Sequence, residues 1–175
     1  MNILRYINSL CILIVCGVLL GALYFQFGLG EDPCPLCLLQ RMGMMGVIFG
    51  LSLNSYFGLD AKHFAVVIIA SLIGGLFSVR QVLLHICPVE GDYGNGTPAF
   101  GLHLYTWGVL IFLASILGSA FFLIFSNKFK SREQHKPSNL EKYFVYLATL
   151  IIFVNVIATF FECQFGPCCE NGPCL

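Results

Sequence analysis

Long runs without charge alternate along the chain with short stretches where charges, prolines and cysteines collect. A helix needs roughly 20 apolar residues to cross the hydrocarbon core of a bilayer. Runs at positions 6–28, 42–59, 64–84, 102–125 and 143–161 reach or approach that length. The third does so only by carrying Arg80 near its far end. Barrel strands would be shorter and would alternate apolar with polar positions, so the pattern predicts five transmembrane helices. The expected fold class is all-α: a polytopic membrane helical bundle forming one membrane domain over 1–175, with a short outer tail at 162–175. The first run exceeds the roughly 7–15 residues of a secretory signal core, and no convincing small-residue cleavage site comes after it. It is expected to stay as an uncleaved anchor. Gly17 and Gly21 have the small-xxx-small spacing that lets helices approach closely, and Gly74 with Gly75 offers a similar opportunity.

Composition agrees with this pattern. Of 175 residues, 58% are hydrophobic and 10% charged, and mean hydropathy is +0.85. A soluble domain is about a quarter charged, so too little polar surface remains to cover a water-facing globule. Net charge is zero, and no basic stripe suggests a nucleic-acid partner.

Charge does change the picture where it sets orientation. Lys and Arg in short loops mark the cytoplasmic side. Arg5, Lys62, Lys128, Lys130, Arg132, Lys136 and Lys142 share one side if the N-terminus is cytoplasmic. The opposite side then receives Glu31, Asp32, Glu90, Asp92, Glu162 and Glu170, with Arg41 and Arg80 the basic residues near it. This arrangement predicts a periplasmic C-terminus and puts Cys34, Cys37, Cys87 and the four tail cysteines in one disulfide-permissive compartment. Four spans would have put the tail on the cytoplasmic side, away from Cys34 and Cys37.

The chain has nine cysteines. Cys11 and Cys16 lie within an apolar run, where thiols act as small buried hydrophobes. The other seven sit at or between the ends of runs. Cys34-Pro35-Leu36-Cys37 can close a disulfide locally, and one thiol of such a pair can have a lowered pKa. The pair directly precedes an apolar helix, whose first backbone N–H groups favour a thiolate. Arg41 lies four residues after Cys37, one helical turn on. Its permanent charge can stabilise a thiolate or a reduced-quinone oxyanion. A metal site would usually require four ligands, and a disulfide closing so short a loop contributes little stability. Redox chemistry is therefore the favoured reading of the pair. Arg80 and His85 are read as candidate cofactor-binding residues, Arg80 through charge and His85 as a proton donor. Interface anchoring is the competing account for both. His103, Tyr105 and Trp107 are read as interfacial belt residues, and His63 and His135 as solvated.

Pro33-Cys34-Pro35-Leu36-Cys37-Leu38-Leu39-Gln40-Arg41 resembles the quinone-facing motif of the DsbB family, bacterial membrane oxidases that reoxidise periplasmic DsbA. The likeness extends to Arg80-Gln81-Val82-Leu83-Leu84-His85 and to Gly101-Leu102-His103-Leu104-Tyr105-Thr106-Trp107. The resemblance implies a four-helix core, to which this chain adds a fifth transmembrane helix and a cysteine-rich tail. It further implies a bacterial inner-membrane thiol:quinone oxidoreductase that uses ubiquinone or menaquinone and a DsbA-like periplasmic thiol oxidase as partner. Cys37 would be the sulfur nearest the quinone, Cys34 would exchange with a second cysteine pair, and Arg41 would help hold the quinone. The best-known members carry that second pair between spans three and four, but the corresponding loop here, 86–101, contains Cys87 alone. The tail from Cys163 to Cys174 offers four thiols instead. Cys163 with Cys168 is the favoured shuttle pair, with Cys87, Cys169 or Cys174 as substitutes. Two other readings remain open: a reductant-side enzyme resembling the vitamin K epoxide reductases, and a metal-binding membrane assembly protein using the tail.

Overall fold

The computed structural model describes residues 2–86, 101–124 and 136–163, together with the backbone of 168–169 and 172–173. Lys128, Lys130, Arg132, His135, Glu90, Asp92, Glu170, Cys87 and Cys174 lie outside the described residues, as do the side chains of Cys168 and Cys169.

Among the described residues five helices are long and apolar enough to cross a membrane. α1 spans Asn2–Leu23 and continues as a π-helical segment, Tyr24–Gly28. α2 spans Pro35–Phe57, α3 Ala61–Leu84, α4 Leu104–Ile124 and α5 Asn139–Cys163. The chain is thus a multi-pass, all-α membrane protein. Two short strands, β1 at Cys168–Cys169 and β2 at Gly172–Pro173, pair antiparallel just beyond α5.

α2 begins at Pro35 rather than at position 42, because its start is set by local chemistry and not by hydropathy. Pro35 occupies the first turn, where its fixed φ suits a helix and its missing N–H removes no bond. Cys34 is the N-cap, and its sulfur accepts from the Cys37 N–H. Elsewhere the caps are conventional. Asp60 Oδ1 accepts from Lys62 N–H at the start of α3. Ser138 and Glu141 form a reciprocal capping box at the start of α5.

The three-residue connection Gly58–Asp60 makes α2 and α3 antiparallel neighbours, with Gly58 at φ 94° closing α2. The two helices meet along small residues. A β-carbon on Gly43 would stand 2.6 Å from Gly74 Cα, and one on Gly46 would stand 2.8 Å from Ala70 Cβ. Gly74 therefore makes the close approach that its type suggested. Gly17 and Gly21 do not: a β-carbon on either would meet nothing within 4 Å. α4 packs on the far side of α3, while α5 packs against α1 and α2. The core is built from Ile12, Val15 and Leu19 of α1, Val47 and Ile48 of α2, Val67, Phe112 and Ile151. Cys11 and Cys16 are free thiols in or against it. Outward positions such as Leu76, Ile124 and Phe153 are apolar and exposed, as lipid contact requires.

Candidate functional site

In antiparallel helices, facing positions have a nearly constant sum of residue numbers. Gly43 faces Gly74 and Gly50 faces Val67, so Cys37 must face the residues around 80. The residue that arrives is Gln81, which is 1% exposed. Its Nε2 lies 3.2 Å from Cys34 Sγ and 3.4 Å from Cys37 Sγ. Its Oε1 accepts a hydrogen bond from Gln40 Nε2, which orients the amide with its donor toward sulfur. Cys34 and Cys37 are joined as a disulfide, with α-carbons 5.1 Å apart. Cys34 is buried and Cys37 is half-buried.

Arg41 is 7% exposed. A buried guanidinium is costly unless its N–H groups are satisfied, and α1 supplies the acceptors. Arg41 Nη1 donates to Gln26 Oε1 at 2.6 Å, and Nη2 donates to the Ala22 carbonyl at 2.9 Å. The π-helical segment makes this geometry available. One extra residue per turn rotates the residues beyond it by about 100° and interrupts the carbonyl ladder of the turn before. Gln26 lies in that segment and Ala22 in the turn before it. Gln26 Nε2 in turn donates to Glu162 Oε2 of α5 at 3.0 Å. Three helices thus converge on one cation.

The disulfide and Arg41 line the same cavity, of about 410 Å3. Val18, Ala22, Phe25, Met44, Leu104 and Trp107 give it apolar walls, with Gln26, Gln40 and Tyr105 among its polar groups. Pockets of about 300–1,000 Å3 with apolar walls and a few placed polar groups are typical of small-molecule sites. A flat ring bearing oxygens fits this donor set: apolar walls for the ring, a cation for an oxygen and a sulfur pair alongside.

Arg80 is exposed on α3 and does not line the cavity, because the helix face that turns inward carries Gln81. His85 is close but second in line. Its Nδ1 donates to the Gln81 carbonyl at 2.8 Å, and its ring stacks on Tyr105 with centroids 5.2 Å apart. Tyr105 is buried and, with Trp107, lines the cavity, a placement that the belt reading did not anticipate. His103 stacks on Tyr105 as well, and its Nδ1 is buried without a hydrogen-bond partner. His63 is not freely solvated, since its Nδ1 faces Asn54 Oδ1 at 3.2 Å and the Gly58 carbonyl at 3.1 Å. Cys163 ends α5 and is disulfide-bonded, though not to Cys34, Cys37, Cys11 or Cys16. Among the described residues no group of three or more His, Cys, Asp and Glu could hold a metal ion. Sequence reasoning missed Gln26, Gln40, Gln81 and Glu162. The available signal was three amides inside apolar helices, where each must find a partner.

Fold and site together define a multi-pass helical membrane protein organised around a Cys-x-x-Cys disulfide beside a buried arginine. The family model "Disulfide bond formation protein DsbB" matches residues 4–93, just over half of the chain, and the chain belongs to that family. Disulfide bond formation protein B of Chromobacterium violaceum is 36% identical over 96 residues, covering 51% of this chain and 57% of that protein. Disulfide bond formation protein B of Aromatoleum aromaticum is 31% identical over 81 residues, 43% of this chain and 49% of the relative. Disulfide bond formation protein B 1 of Pseudomonas fluorescens Pf-5 is 42% identical over 136 residues, 59% of this chain and 80% of the relative. The chain therefore spans about half the length of the first two and four-fifths of the third. No solved structure matches it.

Proposed function

We propose that the chain is a thiol:quinone oxidoreductase of the bacterial inner membrane, which reoxidises a DsbA-like periplasmic protein and so sustains disulfide formation. The observation that carries this reading is the shared cavity, with one wall holding the Cys34–Cys37 disulfide and another the buried Arg41.

The electron path has three exchanges. A thiolate of the reduced partner attacks the tail disulfide, taken as Cys163–Cys168, and the partner's second thiolate resolves the mixed disulfide. The partner leaves oxidised and the tail pair is reduced. A tail thiolate then attacks Cys34 and expels Cys37 as thiolate. The second tail thiol closes the tail disulfide again, leaving Cys34 and Cys37 reduced. Finally the Cys34–Cys37 bond re-forms, a step that requires an acceptor in the cavity to take up the two electrons and two protons. A bound quinone, ubiquinone or menaquinone, supplies the two-electron, two-proton acceptor. Each thiol step depends on thiolate fraction and access. Cys34 is buried, so the segment before α2 must yield for the second exchange. Arg41 supplies positive charge where a thiolate or an acceptor oxygen becomes negative, in surroundings where such charge acts strongly. His85, hydrogen-bonded through Nδ1, keeps Nε2 to accept or return a proton.

The orientation belongs to the same reading. Arg5, Lys62, Lys136 and Lys142 flank one end of the helices, while Glu31, Asp32 and Glu162 flank the other. That bias supports a cytoplasmic N-terminus and a periplasmic tail.

The test is quinone reduction by the purified protein given a reduced thioredoxin-fold partner. Cys34→Ser and Cys37→Ser are each expected to lower turnover at least about 10³-fold, as loss of a reacting sulfur does. Cys163→Ser is expected to block oxidation of the partner while leaving quinone reduction by dithiothreitol. Full turnover without Cys37 would end the proposal.

A further inference from the structure

The matched family region ends at residue 93, yet the cavity's cation is tied to a residue far beyond it. We propose that Glu162 of the fifth helix is a positioning residue of the quinone site, acting on Arg41 through Gln26. This rests on the reading of the cavity as a quinone site and extends it to a part of the chain outside the match.

Arg41 donates to two acceptors, and one of them, Gln26 Oε1, belongs to a side chain that is free to rotate unless it is held. An amide is fixed only when both its ends are engaged. Gln26 Oε1 takes Arg41, and Gln26 Nε2 gives to Glu162 Oε2 at 3.0 Å. With the carboxylate present, the amide presents its oxygen to the guanidinium and cannot flip without placing N–H groups against a cation. The charge adds to this, since Glu162 also attracts Arg41 directly. Hydrogen bonds to charged groups are about twice as strong as neutral ones, and this relay has a charge at each end. Glu162 lies in the last turn of α5, one residue before Cys163. The far end of α5 therefore presents an acceptor to Gln26, and Gln26 an acceptor to Arg41. Without it, Arg41 keeps the Ala22 carbonyl as its one fixed acceptor and loses its aim into the cavity.

Binding can be read without turnover. The chain contains one tryptophan, Trp107, and it lines the cavity. Quenching of its fluorescence by decyl-ubiquinone, with menadione in a parallel titration, gives a dissociation constant for the full-length protein in detergent. Glu162→Ala is expected to weaken binding about tenfold, equal to 1.4 kcal/mol. Glu162→Gln, which keeps an oxygen for Gln26 but no charge, is expected to weaken it less. Gln26→Ala should cost as much as Glu162→Ala, and the double variant no more than either single one, because residues acting in series are not additive. Maleimide labelling of Cys16, a buried free thiol away from the cavity, should stay as slow as in the wild type, which a general loosening of the fold would not allow. Quenching of the wild type with equal binding by Glu162→Ala overturns this inference alone, and so do additive effects of the two alanines. Absence of any quenching in the wild type removes the quinone reading, and this inference with it.

Discussion

The two ends of the bundle bury similar polar side chains and use them differently. At the far end, Asn8 Nδ2 donates to the Leu51 carbonyl at 2.9 Å and to Ser55 Oγ at 2.8 Å. Asn54 Oδ1 accepts from Asp60 N–H and faces His63 Nδ1. These groups bond to backbone and to one another, and they fix the α2–α3 turn and the start of α1 against it. At the Cys34 end, Gln26, Gln40, Gln81 and Arg41 also bond one another, but Gln26, Gln40 and Arg41 line a cavity and Gln81 donates to its disulfide. Polar groups in a membrane interior are costly wherever they occur. One end offsets that cost with rigidity alone, whereas the other places a disulfide and a cation on one cavity. Substitutions at the two ends should therefore separate stability from chemistry.

The largest separation is expected at Arg41. Arg41→Met keeps much of the side-chain length and apolar stem but removes the charge and both donated hydrogen bonds. Quinone affinity, read from Trp107 quenching, should fall roughly 100-fold, since a hydrogen-bonded charge contributes about 1.5–3 kcal/mol. The Cys34–Cys37 disulfide should still form. Undiminished affinity would mean that the cation at this end serves packing, and the contrast between the ends would disappear.

Gln81→Leu should produce a smaller and different change. The Gln81 amide donates to both sulfurs, and a donor stabilises a thiolate more than it does a disulfide. Removing it should make the reduced pair less favourable and move its midpoint to a more negative value by roughly 30 mV, about tenfold in the equilibrium. Titration of Cys34–Cys37 in glutathione buffers reads this directly. A midpoint that does not move would leave Gln81 as a bridge between helices and nothing more.

Gln81 also marks how far the sequence can be read. The five helices are legible because length and apolarity are local properties. Cys34, Cys37 and Arg41 are legible because their spacing lies within one helix start. Hydropathy placed that start too late, since Leu36 to Arg41 mixes Cys, Gln and Arg with leucine, whereas Pro35 at the first turn marks it correctly. Gln81 depends on the register of α2 against α3, set at Gly43 and Gly74, and no single-helix pattern contains that register. Gln26 depends on the π-helical segment, which turns it toward Arg41. Glu162 depends on α5 docking against α1 and α2, so from the sequence it reads only as a charge on one side of the membrane. Arg80 and Gln81 are neighbours in the chain, and one residue's rotation around α3 decided which of them met the disulfide.

The smallest expected effect lies at the far end. Asn8→Ala removes a donor that bridges α1 to the last turns of α2, leaving the Leu51 carbonyl to the helix's own bonding and Ser55 Oγ without that partner. Interhelical hydrogen bonds in membrane proteins contribute about 0.6 kcal/mol on average, so the loss of stability should be of that order. It should appear as a slightly lower unfolding midpoint in detergent. Asn8 Oδ1 is buried without a partner, so the substitution also removes an unsatisfied acceptor, which offsets part of the cost. Trp107 quenching and the Cys34–Cys37 midpoint should match the wild type, because the intervening layer of Val15, Leu19, Val47 and Ile48 is apolar. A change in quinone affinity in Asn8→Ala would show instead that the two ends are coupled through the tilt of α1.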